Sequence, residues 1–259
     1  MLDDRELLPQ ITGFESPFGV AVNATTNKVY VSSLAGVAAI DGAVDVVRLV
    51  IPVGTGPKGL AVDERTNFIY VAASDPLKGA TLVPVDGSKD AVVLSDVVAL
   101  PDSGMGVAFN PNNGFVYVVI PRRQSLVVID PKPGSARVVD EIFGLGKGAN
   151  AVAIDVLTNV AYVTNRDESS LSVVDLVKRS EQRRLVGNGP AGLGIDSNRR
   201  VVYVANSLSG SLSLVDANTL TVFATLVVGQ TPKAAVVDPS TGRVYVPSQL
   251  DDVVRVIQP

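Results

Sequence analysis

The chain has no histidine, no cysteine and no tryptophan among its 259 residues. Without cysteine there are no disulfides, thiolate metal sites or cysteine nucleophiles. Without histidine there is no Ser-His-Asp triad, no imidazole general base and no His-ligated metal. The net charge is −4, and tryptophan stacking platforms are missing, which argues against a nucleic-acid partner. No apolar run reaches the roughly 18 residues a membrane helix requires, so no membrane span is expected. The opening residues, Met1-Leu2-Asp3-Asp4, are acidic and lack the basic-then-apolar order of a signal peptide.

What remains is rich in valine, within an apolar share of 46%. Valine favours strands, and so many short apolar runs imply an all-β protein. All six tyrosines fall in one motif, an apolar residue, Tyr, then Val: Tyr30, Tyr70, Tyr117, Tyr162, Tyr203 and Tyr245. Their spacings are 40, 47, 45, 41 and 42 residues. Seven residues before each stands an Asx: Asn23, Asp63, Asn110, Asp155, Asp196 and Asp238. Thirteen residues after three of them, Asp130, Asp175 and Asp216 close an apolar run. Asp41 stands two residues earlier in the first repeat, Asp86 three later in the second, and Gln258 takes the place in the last. A period of this length marks a propeller.

Each unit reads as four strands, a to d. The a–b link runs Asx-x-x-x-Asn/Gly, where the Asx side chain holds backbone N–H groups and Asn or Gly accepts positive φ. Arg200 breaks the pattern in the fifth unit, so that turn is expected to be strained or differently built. The tyrosines read as architecture, each ring packed between sheets with its hydroxyl locally bonded.

The expected fold is an all-β, six-bladed β-propeller of four-stranded antiparallel blades in one domain over residues 1–259. The blades fall at about 14–53, 54–101, 102–146, 147–187, 188–229 and 230–259. The last unit stops after strand c. Residues 6–13 match the strand d that precedes Gly54, Gly187 and Gly229, so the N-terminal strand is expected to close the ring.

Tyr162-Val163-Thr164-Asn165 is the YVTN tetrapeptide, and Tyr203-Val204-Ala205-Asn206 is one step from it. The repeat therefore resembles the YVTN β-propeller family over residues 6–259. The resemblance implies a propeller of surface-layer, secreted-binding or occasional enzymatic type, with an extracytoplasmic location favoured over a cytoplasmic one.

In a propeller the d–a and b–c loops share the face around the central channel. The position five residues before each Asx should point to that channel: Phe18, Lys58, Met105, Asn150, Ala191 and Lys233. These six are the candidate ligand-binding residues, an amphipathic mouth with positive character that would suit a carboxylate or phosphate. Calcium-dependent lactonases of the gluconolactonase type, alike at fold level, would need a Glu, an Asn and an Asp here. Only Asn150 matches, which is too few oxygen ligands for calcium. No metal or other cofactor is expected. The Ser74–Gly79 loop is enlarged and is expected to overhang the mouth. Arg122, Arg123 and Arg166, on adjacent b–c loops, read as surface arginines without a partner, with a clamp for an anionic partner as the alternative. Asn165-Arg166-Asp167-Glu168 reads as a solvated turn.

Two functions follow. The first is a non-catalytic, monomeric scaffold that presents this face to a protein, polymer or small anionic ligand. The alternative is a small-molecule lyase, isomerase or hydrolase using Lys58, Lys233 and Glu15.

Overall fold

The computed structural model describes residues 11–77 and 79–258. Its strands gather into six antiparallel sheets, taken in chain order round a ring. The first sheet is β1 (Val20–Asn23), β2 (Lys28–Ser33), β3 (Gly36–Asp41) and β4 (Val46–Ile51), hydrogen-bonded in that order. The second comprises β5 (Leu60–Asp63), β6 (Phe68–Asp75) and β7 (Gly79–Asp86), with its outer strand split into β8 (Ala91–Val92) and β9 (Val98–Ala99), both on β7. The third is β10 (Val107–Asn110), β11 (Phe115–Ile120), β12 (Ser125–Asp130) and β13 (Arg137–Phe143). The fourth is β14 (Ala149–Asp155), β15 (Val160–Asn165), β16 (Ser170–Asp175) and β17 (Ser180–Leu185). The fifth is β18 (Pro190–Asp196), β19 (Val201–Asn206), β20 (Ser211–Asp216) and β21 (Val222–Val227). The sixth holds β22 (Val236–Val237), β23 (Val244–Ser248) and β24 (Val253–Ile257). The expected closing strand, residues 6–13, falls mostly outside the described residues. Helix among the described residues is limited to three 3-10 turns of three residues each.

Middle strands are buried on both faces because a blade has a neighbour on each side. Thus β15 is an unbroken apolar and small-polar run, whereas the outer β17 alternates and exposes Arg183. The cores lie between blades. Tyr30 packs with Ile51, Ile69 and Val85, joining blades one and two. Tyr70, Tyr117, Tyr162 and Tyr203 do the same at the next four boundaries. Tyr245 is only half-buried, and Val20, Val22 and Val236 are more than half exposed. The boundary of blade six with blade one is thus the least covered. The tyrosine hydroxyls differ from expectation. That of Tyr117 accepts from Asn113 at 2.8 Å, while those of Tyr30 and Tyr203 are buried without a partner among the described residues.

The a–b turns are alike in every blade. The fourth residue after the Asx is left-handed throughout: Asn27, Asn67, Gly114, Asn159, Arg200 and Gly242, with φ between 52° and 74°. Arg200, at φ 58°, adopts the turn of the others, so the expectation of a differently built turn is corrected.

Candidate functional site

The channel wall is made by the inner strands, and hydrogen bonds between blades fix its residues. In the first blade the Ser32 hydroxyl accepts from the Gly19 N–H at 2.8 Å and donates to the Lys58 carbonyl at 2.6 Å. In the fourth, Thr164 accepts from the Ala151 N–H at 3.0 Å and donates to the Ala191 carbonyl at 2.9 Å. Where this position is Ala72 or Val119, the inner strands bond directly. Gly59 N–H then meets the Met105 carbonyl at 2.9 Å, and Gly106 N–H the Asn150 carbonyl at 2.8 Å. Only glycine permits that approach, since a Cβ on Gly106 would sit 2.6 Å from the Asn150 oxygen. The sixth blade has Pro247 here, which offers no hydroxyl.

These contacts lock the backbones of Lys58, Met105, Asn150 and Ala191 against the preceding blade. Asn150 and Ala191 lie on β14 and β18, and Lys58 and Met105 stand just ahead of β5 and β10. The Asn150 carboxamide adds a bond to the Ala191 carbonyl at 3.1 Å. The cavity open on this face has a volume of about 850 Å³. Phe18, Met105, Asn150, Ala191 and Lys233 all line it. Lys58 itself does not; its ammonium lies over the Phe18 ring, 4.9 Å from the centroid. Of the two candidate lysines, only Lys233 lines the cavity.

A second set of lining residues escaped the sequence reading as a set. Pro121, Arg166, Ser207 and Gln249 each stand four residues after their blade's Tyr, where strand b turns away from the wall. The same register count that gave the first ring would have found them. Arg166 and Lys233 are exposed and have no ion-pair partner among the described residues, while Asp167 contributes one carboxylate to the same wall. By contrast, Arg123 is engaged by Glu141 at 2.8 and 3.0 Å and lies over Phe143. Among the described residues, none of Ser74–Leu77 lines the cavity. The enlarged loop lengthens the β6–β7 hairpin, pairing Asp75 with Gly79, and leaves Leu77 96% exposed. No cluster of three or more metal-ligating carboxylates occurs among the described residues.

The fold and the walled channel define a six-bladed β-propeller. The chain is similar to a solved structure of Kuenenia stuttgartiensis hydrazine synthase, with a TM-score of 0.66 at 13% identity over 99% of this chain and 99% of that one. At that identity the likeness establishes the fold alone. No protein-family model matches the chain. No curated protein matches it either. No helix among the described residues is long and apolar enough to cross a membrane.

Proposed function

We propose that this chain is a non-catalytic binding scaffold whose channel mouth receives a small anionic ligand. The observation that carries the reading is the cavity itself. About 850 Å³ is within the size range of small-molecule pockets, roughly 300–1,000 Å³. Its wall is held by inter-blade bonds, so little ordering accompanies binding. Two cations without ion-pair partners, Arg166 and Lys233, reach it from blades four and six. An anion taken into the cavity offsets their positive charge.

The YVTN relationship belongs to the same proposal. The structure gives its tetrapeptide parts a physical role: Tyr162 fills the boundary core and Thr164 bridges two inner strands. Asn165 donates to Ser170 and Ser172 at 3.0 and 2.9 Å. All three support a wall, which suits a scaffold that varies its mouth while keeping its frame.

The test is an amide NMR titration of the intact chain with acetate, inorganic phosphate and sulfate. Shifts should concentrate at residues 18, 105, 150, 166, 191 and 233. Shifts confined to the opposite face, or none at all, would remove the reading.

A further inference from the structure

The cavity wall is not uniform round the ring. Blades one to three supply Phe18, Val20 and Met105, with Pro121 beside them. Blades four to six supply Asn150, Arg166 and Lys233, with Gln249 beside them. One half of the channel lining is therefore apolar, and the other, among Ala149, Ala151, Val152 and Ala191, carries all of its polar and charged side chains. Phe18 is 50% exposed, so the apolar half keeps unburied aromatic surface inside a walled site. Apolar area left open in a concave site is what a ligand's hydrocarbon part would cover.

The charge on the polar half narrows the head group. Its lining carries Arg166, Lys233 and one carboxylate, Asp167, which leaves a single net positive charge. One negative charge on the ligand neutralises it. A dianionic phosphate monoester would leave an excess negative charge beside Asp167. Lys58 adds its positive charge on blade two, across the ring from the half that carries Arg166 and Lys233, with its ammonium over the Phe18 ring.

We infer that the channel binds an amphipathic monocarboxylate, its hydrocarbon body against Phe18 and Met105 and its carboxylate on the half that carries Arg166 and Lys233. This inference rests on the small-anion reading above and specifies its ligand class. The body lies across the channel axis, since the two halves face each other across the ring. A guanidinium can take a carboxylate through two parallel N–H donors, and the Lys233 ammonium adds a point charge from blade six.

The experiment is isothermal titration of the full chain with octanoate, acetate, 1-octanol and octyl phosphate. Two double variants accompany it, R166M with K233M and F18S with M105S. Octanoate should bind at least tenfold more tightly than acetate, 1-octanol or octyl phosphate. Each double variant should weaken octanoate at least tenfold while the melting temperature stays within the range of the parent. Acetate binding as well as octanoate would show a plain anion site and overturn the inference while leaving the scaffold reading intact. Equal binding of 1-octanol would show that charge plays no part, and a preference for octyl phosphate would show the wrong head group. If none of the four binds, the inference and the small-ligand reading fall together.

Discussion

The guanidinium of Arg200 crosses a blade boundary to the carboxylate of Asp155, 45 residues earlier in the chain. Asp155 is fully buried, and it also accepts from Thr158, Ser197 and the Leu157 N–H. Burial pushes its pKa up, but these bonds outweigh burial and hold it below the usual carboxylate range. The same two positions elsewhere carry amides. Asn23 donates to Asn67 at 2.8 Å, and Asn110 to Asn159 at 3.0 Å. Where the partner position is glycine, at Gly114 and Gly242, the preceding Asp is served by its own turn, Asp63 by Thr66 and Asp196 by Arg199. At these five boundaries the Asx type thus tracks its partner in the next blade. Arg200 occupies a left-handed position because Asp155 needs a cation there.

Arg200→Ala should therefore destabilise the protein by about 2 kcal/mol, the scale of a lost charged hydrogen bond to a buried group. Asp155→Asn combined with Arg200→Asn recreates the amide pair of the other boundaries and should recover most of that loss. Urea unfolding of the two variants decides the matter. A single variant as stable as the parent would mean that the pair is incidental.

The blade count and strand order were legible because the Tyr and Asx positions repeat at a fixed offset. The left-handed turns were legible too, except that the pattern alone could not show why an arginine replaces Asn or Gly. Its reason lies on another blade. The split outer strand of blade two was hidden for a similar cause. The turn at Leu94–Asp96 is held by Asp96 accepting from the Gly134 N–H of blade three at 2.8 Å. In the channel, register alone located five of the wall residues. It did not show that Lys58 turns onto Phe18, because side-chain direction depends on which neighbour is free.

Acid should weaken the fold through its turn carboxylates. Asp86 and Asp238 have pKa values lowered to about 2, chiefly by the bonds from Lys89 and Ser88 in one case and Thr241 and Ser240 in the other. The unfolded value is about 3.9, so the native state binds fewer protons in this window. Their contribution is fully present above that value and is lost as pH falls toward 2. The urea midpoint should decline between pH 4 and pH 2, and less steeply in an Asp86→Asn, Asp238→Asn double variant. Identical slopes for variant and parent would contradict the assignment.

The edge of β24 bears on how the ring is completed. Val253, Val254 and Val256 are 39%, 59% and 52% exposed along it. Gly13 has φ 97°, close to Gly54, Gly144 and Gly229 at 101°, 104° and 104°, each of which follows an outer strand. The repeat register leads us to expect an outer-strand role for the segment before Gly13, most of which lies outside the described residues. Removing residues 1–12 should lower the melting temperature and promote self-association through the open apolar edge. A truncated chain that melts like the parent and stays monomeric by light scattering would refute the assignment.

The last prediction concerns the bridging hydroxyl. Thr164 links the Ala151 N–H to the Ala191 carbonyl, so its removal leaves a donor and an acceptor at one blade boundary without a partner. Val fills the same volume, which isolates the hydroxyl from packing. Thr164→Val should cost about 1–3 kcal/mol, the range for an unsatisfied buried polar group. Thr164→Ser keeps the bridge and should cost less, as the Ser32 bridge between Gly19 and Lys58 shows that serine can serve. Thr164→Ala differs from both, because Ala72 already sits where inner strands bond directly, although Ala151 lacks the freedom that Gly59 has for that approach. Combining Thr164→Ala with Ala151→Gly should therefore be more stable than Thr164→Ala alone, despite glycine's conformational cost. Urea unfolding orders the four variants. If Thr164→Val proves as stable as Thr164→Ser, the hydroxyl is not what joins blades four and five.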